Sequence, residues 1–332
     1  MTAHVADRTL REERLVRRML ARGEQGLADA LCALKGVTFG RRYIFRSLYA
    51  IGGEGAVFDV VDTADPHASP LVGKVALHPV HLPFELTSDG IRDRRLALRR
   101  ESVLLATCGS RSMPAEVGNY QFANPALPAA RGGAFAEAEP VILMEKLPGV
   151  DLDRWLARVH RRGLPAATLQ PTLDRICVNV ILAVADLASR GFLYADLRPG
   201  NVRLVPYPRR IARMLDAGSI VRPDERDHMF PHVPAYLPPD LHHLATAGLP
   251  IAASEEVTAI MAGRTLYEIA TGEPPFPGEP IDEHRLVDAP VSAPVATIAA
   301  ALAAGEVGSV AAAYRYLRSR ATNEVTLRPT PE

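Results

Sequence analysis

The sequence has no excess of either charge: 38 Lys and Arg stand against 38 Asp and Glu in 332 residues. A balanced surface gives nucleic acid or an anionic membrane no field to follow, so neither is expected as a partner. Cysteine is scarce. Cys32, Cys108 and Cys177 are odd in number and lie without paired spacing, which argues against a disulfide framework or a zinc site and for a reducing, cytoplasmic compartment. No apolar run approaches the ~20 residues that a membrane-spanning helix needs. The first residues have neither the uncharged apolar core of a signal peptide nor the acid-poor character of a transit peptide. The pairs His78/His81 and His242/His243 lack a third ligand and lie in Pro-rich or loop-like text, so they read as surface residues and not as a metal site.

What is present is an apolar content of 48%, enough for a core in one large or two ordinary domains. The most informative stretch runs Tyr194-Ala195-Asp196-Leu197-Arg198-Pro199-Gly200-Asn201, then Val202-Arg203-Leu204, then Met214-Leu215-Asp216-Ala217-Gly218. An Asp, a cation two residues on, an Asn three further and a second Asp after two short apolar runs are the parts needed to move a phosphoryl group. Asp196 is the candidate base for an attacking hydroxyl, and Arg198 can offset phosphate charge. Asn201 and Asp216 are candidate ligands for Mg²⁺ held against phosphate oxygens.

These residues resemble the protein kinase family, whose catalytic loop reads H-R-D-L-K-P-x-N and whose metal motif reads D-F-G. Here the two read Y-A-D-L-R-P-G-N and D-A-G. The resemblance places the family's catalytic Asp on Asp196 and its metal-binding Asn and Asp on Asn201 and Asp216, with Tyr194, Ala195 and Ala217 replacing its His, Arg and Phe. It implies an α+β, two-lobed fold with a β-rich N-lobe and a mainly helical C-lobe, and ATP with Mg²⁺ as cofactors. The expected division is a helical N-terminal extension over 1–40, an N-lobe over 41–144 and a C-lobe over 145–332, with the family's last helix falling beyond Glu332.

Other motifs follow in order. Thr9 to Leu34 reads as two amphipathic helices, with Leu10, Leu15, Met19 and Leu20 on one face and Leu27, Leu31 and Leu34 resuming the period. They are expected to dock on the next domain, the alternative being a partner-binding arm. Ala50 to Val57, with Gly52 and Gly55, matches the kinase Gly-rich turn except that Ala50 replaces its first Gly; such glycines let backbone N–H groups approach phosphates. Leu71-Val72-Gly73-Lys74-Val75 resembles the V-A-I-K strand, which puts Val72 and Lys74 among the nucleotide contacts. A Lys in a buried run needs a partner, and Glu101, in the helical stretch 92–106, stands where the family keeps the pairing acid. A strand near Glu116 to Tyr120 and a buried strand over Val141 to Met144 lead to a hinge-like segment. By resemblance Glu145 and Leu147 offer backbone groups to adenine and Asp151 meets the ribose, while Arg203 falls under the adenine where an apolar residue is usual. Leu173 to Leu187 reads as a buried helix with Cys177 in the core, stopped by Gly191.

Val233 to Asp240 resembles the end of the kinase activation segment, Leu266 to Phe276 the end of helix F, and Leu327-Arg328-Pro329-Thr330 the R-P-T whose Arg would pair with Asp240. Ala195 removes the Arg that reads an activating phosphate, and between Asp216 and Asp240 only Ser219 and Tyr236 could accept one, so activation by phosphorylation is not expected. Val233 and Thr258 depart from the Thr and Asp that support Ser/Thr specificity. The Tyr194 ring is expected to fill space left at Ala217, with Leu105 as a further neighbour. The expected activity is ATP- and Mg²⁺-dependent phosphoryl transfer to a protein or peptide hydroxyl. The alternatives are a small-molecule kinase on the same fold or a nucleotide-binding scaffold module of a larger protein. A partner would engage the N-terminal helices or a module beyond the C-terminus.

Overall fold

The structure, a computed structural model, describes residues 2–52, 55–77, 88–125, 138–206, 211–223, 234–247, 249 and 251–320. The chain divides into two compact units, one formed by 1–107 with 114–146, the other by 108–113 with 147–332.

The first unit holds α1 (Thr2–Ala21), α2 (Gln25–Ala33), β1 (Thr38–Phe39), β2 (Tyr43–Ile51), β3 (Gly55–Asp62), β4 (Leu71–Ala76), α3 (Ser88–Cys108), β5 (Glu116–Phe122) and β6 (Glu139–Glu145). The strands form one antiparallel sheet in the order β1-β2-β3-β4-β6-β5. β6 is apolar on both faces, so its residues Val141, Ile142 and Leu143 are completely buried and it occupies the interior of the sheet. Gly73 in β4 is required by packing: a Cβ there would lie 2.9 Å from the Phe45 ring. Phe45 in turn stacks within about 5 Å of Phe39, Phe58 and Phe122.

α1 and α2 dock on this unit. Met19, Leu27, Leu31 and Leu34 join one core with Phe39, Tyr43, Phe45 and Leu48. Glu12 receives Lys35 Nζ at 2.9 Å and the Leu48 amide at 3.3 Å, and the Arg11 guanidinium lies 4.5 Å from the Tyr49 ring centre. The expected face needs correction. Leu15, Val16 and Met19 pack inward, whereas Leu10 and Leu20 are 51% and 42% exposed, because one strand pair accepts only a narrow stripe of the helix.

The second unit holds β7 (Val150–Asp151), α4 (Leu152–Arg161), α5 (Ala166–Ser189), β8 (Leu193–Tyr194), β9 (Val202–Val205), β10 (Ile211–Met214), β11 (Ile220–Val221), α6 (His242–Thr246), α7 (Glu255–Thr271), α8 (Glu283–Asp288), α9 (Ala293–Ala303) and α10 (Val310–Arg320). Two small sheets, β10-β9-β7 and β11-β8, carry the turns between the helices. α5 buries the periodic face from Leu173 to Leu187, and burial pushes the Cys177 thiol pKa upward. Gly191, at φ 78°, turns the chain out of it into β8. α7 starts at Ser254, whose hydroxyl accepts from the Val257 amide at 3.0 Å, and ends at Gly272 with φ 80°. It is buried on nearly every side. Gly263 lets α9 cross it, since a Cβ would come within 2.3 Å of the Ala303 nitrogen. His242 and His243, read from sequence as loop, begin α6.

The first unit takes in 1–40 and keeps Glu145 and Lys146, while residues 108–113 sit with the second unit. Ser110 and Ser112 hydroxyls donate to Asp186 of α5, at 2.5 and 3.3 Å, and the Met214 amide donates to Ser112 O at 2.7 Å.

Candidate active site

In the first unit, β4 places Lys74 opposite Val57 on one side and Ile142 on the other. Its ammonium meets Glu101 Oε1 of α3 at 2.7 Å, with the two side chains 17% and 7% exposed. Attraction is strong at that burial because little water screens it. Two further polar residues anchor α3 alongside Glu101. Arg95 Nε donates to Glu139 Oε1 at 2.8 Å, a second guanidinium nitrogen contacts the same oxygen, and each side chain is 2% exposed. Ser102 Oγ donates to Glu116 Oε1 at 2.5 Å. β4, β6 and β5 thus each grip the helix that presents Glu101.

The Gly-rich turn joins β2 to β3. Ala50 pairs with Val57, and the Gly52 amide donates to Gly55 O at 2.8 Å. Gly55 is a close-approach glycine, for a Cβ would stand 3.0 Å from Val75 O and 3.1 Å from Lys74 Cε. Val72 is buried beside Met144. The Glu145 amide donates to Ala115 O at 2.9 Å, and its carboxylate accepts from the Ala115 amide at 3.2 Å. Gly53 and Glu54 lie outside the described residues, as do His78, His81, Val233, Arg328 and Thr330.

In the second unit, Asp196, Arg198 and Asn201 form one hydrogen-bonded group. Asn201 Nδ2 donates to Asp196 O at 2.9 Å and to Asp196 Oδ2 at 2.6 Å. Arg198 Nε lies 3.2 Å from both carboxylate oxygens. Gly200 leaves room for the guanidinium to fold back, since a Cβ would lie 2.8 Å from Arg198 Nη1. The Leu215 amide donates to Asn201 O at 2.9 Å, which sets Asp216 beside the group. Asp216 Oδ1 accepts from the Gly218 amide at 3.2 Å and Oδ2 from Ser219 Oγ at 3.4 Å. Burial raises the Asp196 pKa above the ordinary carboxylate value, and the Asp216 charge adds to this; Arg198 and Asn201 oppose it. The group as a whole is held from below, where Thr265 Oγ1 of α7 donates to Leu197 O at 2.9 Å.

Cation binding can be tested against this donor set. The Asn201 amide nitrogen bonds Asp196 twice, which leaves its carbonyl oxygen to serve as a hard oxygen ligand, and Asp216 supplies a carboxylate. An Asn oxygen and one carboxylate, completed by phosphate oxygens and water, suit Mg²⁺. Among the described residues no group of three His, Cys, Asp or Glu could hold a metal alone.

Arg203, expected under the adenine, is hydrogen-bonded within the second unit. Its guanidinium turns to the segment before α4, with Nη1 on Asp151 Oδ1 at 2.5 Å, Nη2 on Gly149 O at 2.9 Å and Nε 3.3 Å from Pro148 O. Strand pairing dictates this, because Asp151 in β7 lies directly opposite Arg203 in β9. Asp151, expected at the ribose, is therefore already ion-paired, and Leu147 beside it is buried. Tyr194 is completely buried, with its hydroxyl near the Asp216 backbone and the Ser219 side chain, either side of Ala217, and without a hydrogen bond of good geometry. Ser219 and Tyr236 are both buried, and Tyr236 OH donates to Glu268. Sequence reasoning missed Arg95, Glu139 and Arg264. The only signal was an Arg in the middle of an apolar helix for the last of these, and a Glu at the start of an apolar strand for Glu139.

No protein-family model matches the chain. A probable dual specificity protein kinase YAK1 homolog of Encephalitozoon cuniculi is 26% identical over 145 residues, 44% of this chain and 33% of that protein. The serine/threonine-protein kinase PkaA of Streptomyces coelicolor is 30% identical over 142 residues, 41% of this chain and 24% of that protein. The match thus spans a third or less of these relatives' length. Among solved structures, the PknI kinase domain of Mycobacterium tuberculosis superposes with a TM-score of 0.55 at 19% identity, covering 86% of this chain and 98% of that domain.

Proposed function

We propose that this chain, which has the protein-kinase fold, transfers the terminal phosphoryl group of ATP, in a Mg²⁺-dependent reaction, to a hydroxyl of a protein or peptide in the cytoplasm. The observation that carries the reading is the Asp196-Arg198-Asn201 group with Asp216 beside it. Packing alone has no use for four polar side chains converging on so small a volume.

Each residue then has a task. Lys74, held by Glu101, is a fixed cation for phosphate oxygens. Bound Mg²⁺ would neutralise phosphate charge, and Asn201 and Asp216 are the residues to hold it. Asp196 orients the acceptor hydroxyl and takes its proton. Its raised pKa makes it a better base than an exposed carboxylate, and Arg198 keeps it ionised. Ala50, Gly52, Gly55, Val57, Val72, Glu145 and Leu147 would line the nucleotide. Because Asp151 is committed to Arg203, the ribose should be read weakly. The buried state of Ser219 and Tyr236 supports activity without an activating phosphate on either. A protein acceptor is favoured over a small molecule by the ordered segment end at Pro234–Tyr236, fastened to α7.

The test is thermal stabilisation by ATP with and without Mg²⁺, followed by labelled-phosphate transfer to the chain itself and to generic polypeptides. Mg²⁺-dependent stabilisation with transfer is expected. No Mg²⁺-dependent shift at saturating ATP would refute the reading, and a shift without transfer would make the chain a nucleotide-binding scaffold.

A further inference from the structure

Arg264 sits in the middle of α7 with no exposed surface, yet among the described residues no carboxylate bonds its guanidinium. Its donors go to three backbone carbonyls: Nε to Ala235 O at 2.8 Å, Nη2 to Phe276 O at 2.8 Å and Nη1 to Glu279 O at 2.9 Å. Burial pulls its pKa below the usual guanidinium value, with Tyr236 and Tyr267 opposing the shift. An apolar residue would fill the same space without the cost of burying charge, so the three carbonyls must matter. They belong to two separate segments, the turn Pro234–Tyr236 and the loop that follows α7. A planar fork of fixed geometry sets both segments at once, whereas the three donors of a Lys radiate from one freely rotating nitrogen and fix them less firmly.

The same helix holds the chemistry. Thr265, the next residue, carries the Leu197 carbonyl of the Asp196 group, and Glu268, one turn on, takes the Tyr236 hydroxyl. The position of both segments relative to Asp196 is thus set by three neighbouring side chains of one buried helix. The loop that Arg264 holds presents Phe276, which is 66% exposed. So large an apolar ring on a well-bonded loop is suited to a partner side chain.

We infer that Arg264 is a positioning residue for a polypeptide acceptor. It holds the Ala235 turn and the Phe276 loop as one platform, on which an acceptor chain lies with an apolar side chain against Phe276 and its hydroxyl at Asp196. The inference rests on the phosphotransferase reading above and adds to it the place where the polypeptide is held.

Arg264→Met, Arg264→Lys and Phe276→Ala test it, with dephosphorylated casein as the polypeptide acceptor. Arg264→Met and Phe276→Ala should each raise KM for casein tenfold or more, with KM for ATP moving less than twofold and kcat less than threefold. Phe276→Ala alters an exposed side chain, so it guards against an Arg264 variant that fails to fold. Amide exchange gives a readout independent of catalysis: residues 235–241 and 276–279 should exchange faster in Arg264→Met than in the parent, with Arg264→Lys between them. Unchanged casein KM in Phe276→Ala, or parent-like exchange of both segments in a folded Arg264→Met, would overturn the inference while leaving an active parent intact. A parent that shows no Mg²⁺-dependent ATP stabilisation would instead bring down the phosphotransferase reading and the inference with it.

Discussion

Replacing Arg95 by Met should destabilise the first unit more than any surface change can, although Arg95 touches no proposed catalytic atom. The pair it forms with Glu139 is buried on both sides, each partner 2% exposed. Removing the guanidinium takes from the buried Glu139 carboxylate the ion pair that joins α3 to β6. Breaking a buried pair from one side costs about 3–5 kcal/mol, whereas replacing both partners by apolar residues is often neutral or stabilising. The unit contains roughly 140 residues. With an unfolding entropy of about 2.1 cal/mol/K per residue, that loss corresponds to a fall in Tm of about 10–17 °C. Thermal unfolding followed by far-UV circular dichroism would read it, with Arg95→Met, Glu139→Leu and the double variant forming a cycle. The double variant should recover most of the loss. In both single variants α3 loses one of its anchors, so the Lys74–Glu101 pair should loosen and ATP-dependent stabilisation should weaken. A single variant within about 1 kcal/mol of the parent, or a double variant as unstable as the worse single, would show that the pair does not hold α3.

Further outcomes are expected at the catalytic group. Asp216→Ala should abolish the Mg²⁺-dependent part of ATP stabilisation, which at 100 times the dissociation constant amounts to about 2.7 kcal/mol; a retained Mg²⁺ shift would remove Asp216 as a ligand. Asp196→Asn should cut turnover by about 10²- to 10⁴-fold with little change in ATP affinity, and full activity in that variant would refute the base assignment. The same substitution carries a pH signature. Burial raises the folded pKa of Asp196, so the unfolded chain ionises first, and the penalty for ionising the folded form is absent in acid and complete above the folded pKa. The stability of Asp196→Asn relative to the parent should therefore increase from acid to neutral pH, and a flat difference would show that Asp196 is not desolvated. Tyr194→His should leave a cavity and cost about 1–3 kcal/mol, while Tyr194→Phe, which deletes a buried hydroxyl lacking a good partner, should be neutral or gain up to about 1 kcal/mol. Equal stability of parent and Tyr194→His in denaturant titrations would end the packing argument.

The residues of the proposed catalytic group were legible because the chemistry proposed for them depends on short spacings. From Asp196 to Asn201 is a single turn of chain, and a strand pair returns Asp216 beside them, so residue order alone was enough to propose the group. The buried helices at α5 and α7 and the apolar strand β6 were legible for a similar reason, as periodicity and local composition set which face is buried. The Lys74–Glu101 pair was accessible only through family resemblance, since the two lie 27 positions apart and nothing between them links them.

Tertiary structure alone decided which partners the other buried charges take. Arg95 and Glu139 lie 44 positions apart, Arg203 and Asp151 lie 52 apart, and the Arg264 carbonyls come from both sides of it in sequence. From sequence Arg95 and Arg264 are surface residues by default, because a buried charge is costly unless something distant neutralises it. The narrow docking stripe of α1 was likewise hidden, since Leu10 and Leu20 have the right period but no surface to meet. Sequence by itself determined which residues are proposed for phosphoryl chemistry and where the strongly periodic helices and the apolar strand lie, both being properties of neighbours along the chain. Only the folded chain determined that Asp151 is paired with Arg203, that α3 is gripped by three strands, and that one buried arginine joins two segments, because each depends on groups that the backbone brings together from far apart.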